Sequence, residues 1–164
     1  MNFPFRLKKY CSYLRHARKG KYAHSPFVYQ LSMAVFEKKS PLPTTSYRFG
    51  NDKYGQLTTK IADYFNVKTI AYFPSDHPAQ AADMTLINMT PKPEDVYDYF
   101  EETAKYSGNN SVVIVKDIYR SPESAIVWEK IKAHPKTTVT LDLFKMGVVF
   151  FRRESSKENF IVKY

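Results

Sequence analysis

Five polar side chains fall at or just beyond the carboxyl ends of three apolar runs. Asp76 and His77 follow Val67 to Phe73, Asn88 closes Met84 to Met89, and Asp117 and Tyr119 end the stretch that begins at Ser111. In an open α/β sheet that edge is where ligands bind, so these residues are the candidates for lining a small pocket. The plain alternative is a set of solvated loop residues. The turn after the first of these runs reads Pro74-Ser75-Asp76-His77-Pro78 and contains no glycine. A nucleotide-type cofactor rests on a tight turn and a helix N-terminus, where glycine supplies positive φ and close backbone approach. Proline instead fixes φ near about −65° and removes a donor.

Other chemistries find less support. No two histidines have the i, i+4 spacing of a helix-borne metal site, and His16, His24 and His134 read as helix-end or packing residues. There is no glycine-flanked serine elbow, and Cys11 lies on an apolar helical stripe where a thiol behaves as a small buried hydrophobe. Glu94-Asp95 and Glu101-Glu102 fall on a helix whose apolar face is Val96, Phe100 and Ala104, which makes them a solvated surface. No metal site is expected.

These residues need elements to hold them. Leu7, Tyr10, Cys11 and Leu14 recur at helical spacing in a basic first helix that Gly20 ends. Ser25-Pro26 is an N-cap and N1 pair opening a second helix with Phe27, Val28, Leu31 and Val35 on its apolar stripe. The two are expected to form a helical hairpin over residues 1–39. A loop from Ser40 to Asp52 separates it from an α/β core at 53–164, all within one domain. There a helix near Tyr54 to Phe65 precedes the strand Val67 to Phe73. A strand Met84 to Met89, a helix Pro93 to Tyr106 and a strand Ser111 to Asp117 follow, and Ser121-Pro122 opens one more helix. Thr137 to Phe144 and Val148 to Arg153 flank a turn at Lys145-Met146-Gly147 and should pair antiparallel; Asn159 to Tyr164 can add an edge strand.

The 164 residues carry a net charge of +9, but seven basic and no acidic side chains precede Glu37, leaving 18 basic against 16 acidic from Glu37 onward. The basic helix admits three roles: a solvated face, a patch for anionic lipid or nucleic acid, or a dock for an acidic partner. The single Cys11 excludes a disulfide framework and suits a reducing, cytoplasmic setting. No run has the apolar length of a membrane span, and no signal peptide is evident.

The block Trp128 to Pro135, then Thr138-Val139-Thr140-Leu141-Asp142-Leu143-Phe144, then Gly147-Val148-Val149-Phe150-Phe151-Arg152-Arg153, resembles the C-terminal end of Bacteroidetes-type class I S-adenosylmethionine-dependent methyltransferases. His24-Ser25-Pro26-Phe27-Val28 and Lys53-Tyr54-Gly55-Gln56-Leu57 are similar to other signatures of that family. The resemblance implies a Rossmann-like methyltransferase sheet, shortened at its strand 2/3 side because the chain lacks the usual sequence between Phe73 and Met84. It also implies C-terminal antiparallel strands and an N-terminal helical cap. The departures fall on the chemistry. Prolines stand where the cofactor loop would have glycines, the second-strand acidic residue has no counterpart, the fourth-strand motif reads Asn88-Met89-Thr90-Pro91, and Asp117 alone survives of the fifth-strand carboxylates.

The expectation is therefore a degenerate methyltransferase-like domain, a pseudoenzyme that binds or assembles rather than catalyses and holds no cofactor. The competing enzyme reading has S-adenosylmethionine in a site rebuilt around Pro74, Ser75, Asp76, His77 and Pro78. A third reading is a nucleic-acid module built on the basic helix, ranked behind a protein partner. Without strands two and three, Val67 to Phe73 becomes an edge, to be covered by the hairpin or by a second copy in a homodimer.

Overall fold

The computed structural model describes residues 3–37, 43–77, 82–90 and 92–164. Pro78, Pro91 and the start of the Ser40 to Asp52 loop lie outside them. Among the described residues the chain is an α/β protein with one six-stranded mixed sheet and five α-helices. Two N-terminal helices, α1 (Phe3–His16) and α2 (Pro26–Val35), are followed by α3 (Lys53–Tyr64) and β1 (Ile70–Phe73). Then come β2 (Met84–Asn88), α4 (Pro93–Tyr106), β3 (Val112–Lys116), α5 (Pro122–Ala133), β4 (Val139–Asp142), β5 (Met146–Phe150) and β6 (Glu158–Ile161).

The helix starts follow local chemistry. The Ser25 hydroxyl accepts the Val28 N–H with Pro26 at the first helical position, and Ser121 accepts the Ser124 N–H with Pro122 behind it. Asp52 caps α3 by accepting the Gly55 N–H at 2.9 Å. The strands β2, β3 and β5 are near-continuous apolar runs because both faces of the sheet are covered.

The sheet order is β1-β2-β3-β5-β4-β6, with β5 antiparallel to both neighbours and every other pairing parallel. Alternate residues divide two cores. Val113, Val115 and Val149 face α4 and α5 with Phe100, Trp128 and Ile131, whereas Val112, Ile114 and Phe150 face α2 and α3 with Leu31, Leu57 and Ile61.

The N-terminal helices do not form the expected hairpin. Tyr13 of α1 joins the core beside α4 and α5, while Val28, Leu31 and Val35 of α2 join the opposite one. Between them the chain passes along the outer side of β6. There the Arg18 N–H donates to Ile161 O at 3.0 Å and Arg18 O accepts the Lys163 N–H at 2.8 Å. Those two bonds carry the backbone past the sheet edge, so α2 emerges on the far face. Gly20 does not end α1, which stops at His16. It sits in a 3-10 turn, where a Cβ would come 1.9 Å from the Ser32 hydroxyl oxygen.

Two further boundaries differ from the sequence expectation. Pairing in β1 begins at Ile70 rather than Val67, because the Asp83 carboxylate takes the backbone N–H groups of Lys68 and Thr69. The hairpin turn is Leu143-Phe144-Lys145, since Met146 and Gly147 already pair with Lys116 and Val115. Gly147 is a packing glycine: a Cβ there would lie 2.3 Å from Cη2 of the fully buried Trp128.

At the outer edge of β1 both backbone groups of Tyr72 are taken by Asp76, whose carboxylate accepts the N–H at 2.7 Å and whose own N–H returns to Tyr72 O at 2.7 Å. The hairpin cannot cover this edge, because the N-terminal chain pairs at β6 instead.

Gly147→Ala should lower stability by about 1–3 kcal/mol by forcing the indole out of its slot. Urea unfolding reads this, and a wild-type midpoint would show that Trp128 can move aside freely.

Candidate functional site at the carboxyl edge of the sheet

The carboxyl ends of β1, β2, β3, β4 and β6 lie along one side of the sheet, which gathers the sequence candidates there without making them a constellation. Asp76 is exposed and committed to its own strand through Tyr72; His77, Asn88 and Asp117 are exposed. Among the described residues, no side-chain hydrogen bond joins any two of the five. Asp117 adopts φ 57°, its N–H donating to Lys145 O and its carbonyl accepting the Arg120 N–H at 2.9 Å. It therefore shapes the β3 to α5 turn.

Tyr119 is the exception. It is buried, and its hydroxyl donates to the Asp142 carboxylate at the end of β4. Asp142 is 4% exposed and also accepts from Trp128 Nε1 at 3.3 Å and from the Phe144 backbone N–H at 2.9 Å. This buried centre was missed in the sequence, where Asp142 reads only as part of an apolar strand. The available signal was a carboxylate inside the run Thr138-Val139-Thr140-Leu141-Asp142-Leu143-Phe144, since a buried charge requires partners.

Above Asp142 the turn puts Phe144 at φ 66°, an uncommon conformation for a bulky residue that surrounding contacts must hold. The Phe144 ring meets Tyr10 at 5.0 Å, Tyr13 at 5.6 Å and Tyr119 at 5.6 Å between centroids. Lys9 Nζ lies 5.2 Å from the Tyr119 ring centroid. The Tyr13 hydroxyl donates to Val162 O at 2.7 Å, and burial pushes its pKa up to about 12. Thus α1 seats its aromatic side chains on the β4 side of the edge. On the β1 side the Phe73 ring packs on Tyr99 at 4.7 Å.

Cavities lie elsewhere. One of about 440 Å³ opens at the amino end of β1, lined by Thr44, Thr45, Tyr47, Asp63, Asn66 and Lys68. Its carboxylate is already engaged, because Asp63 accepts from the Thr44 and Thr45 backbone N–H groups and the Thr44 hydroxyl. A second, of about 470 Å³, lies beside Arg18, Lys21, Tyr22 and His24. Among the described residues no group of three His, Cys, Asp or Glu side chains is placed to hold a metal ion.

No family model, characterised protein or solved structure matches the chain.

Burial pushes the Asp142 carboxyl above its ordinary range, against the opposing pull of the Tyr119, Phe144 and Trp128 donors. The folded chain then holds this proton more tightly than the unfolded one. The group's contribution to stability is full below the ordinary carboxylate pKa of about 3.9 and falls as pH rises through the raised value. Asp142→Asn should flatten that decline in pH-dependent unfolding. Asp142→Ala should cost at least about 3 kcal/mol, because it strands three buried donors. A loss below about 1 kcal/mol would mean the donors find other partners.

Proposed function

We propose that this chain is a methyltransferase-like α/β domain that acts by binding rather than by methyl transfer. The observation that carries the reading is the occupied carboxyl edge. On its β4 side, the edge where an open α/β sheet receives ligands is filled by the chain's own Tyr10, Tyr13, Tyr119 and Phe144. The candidate cofactor loop adds to it, since its carboxylate Asp76 is spent on the Tyr72 N–H. The antiparallel strand β5, inserted between the parallel strands β3 and β4, supports the methyltransferase-like part. So does the position of β1 at the sheet edge, where strands two and three would otherwise continue.

Assembly through β1 is a weaker basis for that binding than the sequence suggested. In a parallel pair alternate residues turn both backbone groups to the same side, so Ile70 and Tyr72 face outward. Tyr72 is already satisfied by Asp76, leaving a second copy one rung fewer to pair with. The binding is then carried by a surface other than β1. Among the described residues no helix is long and apolar enough to cross a membrane.

Isothermal titration of the folded protein with S-adenosylmethionine and S-adenosylhomocysteine tests the reading. No saturable heat is expected at millimolar ligand, which corresponds to binding weaker than about 4 kcal/mol. Micromolar binding that disappears in Asp76→Ala or Asp117→Ala would overturn it and restore a methyltransferase with a cofactor site rebuilt around Pro74 to His77.

A further inference from the structure

The helix α1 turns its aliphatic stripe outward. Sequence periodicity assigns Leu7, Tyr10, Cys11 and Leu14 to a core face, yet Leu7 is 51%, Tyr10 43% and Leu14 49% exposed, Cys11 is exposed, and Phe3 is 68% exposed. The side that packs on the protein carries Tyr13, Phe5 and Lys9 instead. At 100° per residue Phe3, Leu7 and Leu14 fall within about 40° of one another on the solvent side, with Cys11 about 40° further round and Arg15 and Lys8 beyond it on that same side. Arg18, Lys19 and Lys21 continue the positive charge beyond the helix, next to Tyr22 at 63% exposure. No acidic residue occurs before Glu37.

We propose that α1 docks this protein on an anionic membrane surface, lying flat with Phe3, Leu7 and Leu14 in the headgroup boundary and with Lys8 and Arg15 on lipid phosphates. An apolar stripe with cations round to one side of it is what such a surface selects, because burial of the stripe and attraction to the headgroups act together. Charge complementarity decides among the occupants. Pairing the stripe with that of a second copy would bring together two helices that carry basic and no acidic side chains, which disfavours self-association. Nucleic acid would use the cations but leave two leucines and a phenylalanine in water. A fluid anionic surface also conforms to a convex single-helix ridge, for which a protein partner would need a matching groove. The inference stands on α1 alone and is independent of whether the core ever bound a methyl donor.

Co-sedimentation of the full chain with vesicles of phosphatidylcholine alone, and with an equal mixture of phosphatidylcholine and phosphatidylserine, tests it. Binding to the anionic vesicles only, weakened by salt, is expected. Leu7→Gln combined with Leu14→Gln should weaken it by about tenfold or more while the thermal melt stays at the wild-type position, because both side chains are exposed. Lys8→Gln with Arg15→Gln should weaken it by a similar factor. The proposal is overturned by an absence of binding to anionic vesicles or by leucine variants that bind as well as wild type. It is equally overturned by light scattering that shows a dimer abolished by the leucine variants, or by tight binding to a mixed-sequence RNA that the leucine variants leave intact.

Discussion

A single buried carboxylate ties together the part of this fold that the sheet alone would leave undetermined. Asp142, at the end of β4, receives the Tyr119 hydroxyl from the turn after β3, the Trp128 indole from α5 and the Phe144 N–H from the turn into β5. A carboxylate withdrawn from water must find donors, so these three segments are constrained to meet around it. The indole in that position needs a bare strand opposite, which Gly147 supplies. The backbone bond to Phe144 helps hold that residue at positive φ and aims its ring at α1.

From this follows the unusual seating of α1. The helix is held by tyrosines and a lysine, through Tyr10 and Tyr13 against Phe144, Lys9 over Tyr119, and the Tyr13 hydroxyl on Val162 O. Its aliphatic stripe contributes little to that contact and is left facing out. The edge that an α/β sheet normally offers to ligands is packed with aromatic side chains on its β4 side, and cavities lie at the amino end of β1 and beside Arg18.

Much of the architecture was legible from local rules. Ser25-Pro26 and Ser121-Pro122 marked two helix starts through their hydroxyl caps, and α4 runs from Pro93 to Tyr106 as its apolar spacing indicates. The strands containing β3 and most of β5 could be placed, and the antiparallel pairing of β4 with β5 follows from the short connection between them. The candidate site was legible only as a location. Tyr119 was singled out, but its partner was not, because Asp142 stands 23 residues away and an isolated Asp in an apolar run does not name its donors. Asp76 was also singled out, yet what it does is satisfy the edge of its own strand.

By itself the sequence determined which segments are helices and strands and that the basic charge belongs to the N-terminal end. It also placed proline rather than glycine in the turn after β1. These are properties of neighbouring residues, set by capping, φ restriction and periodicity. Only the tertiary structure decided that α1 and α2 take opposite faces of the sheet, that Gly147 serves Trp128 rather than a turn, and that Leu7 and Leu14 face solvent while Tyr13 is buried. Periodicity defines the faces of a helix but not the surface each will meet. That choice rests on contacts between residues far apart in the chain, here the β6 edge that takes Arg18 and the carboxylate that orients Phe144.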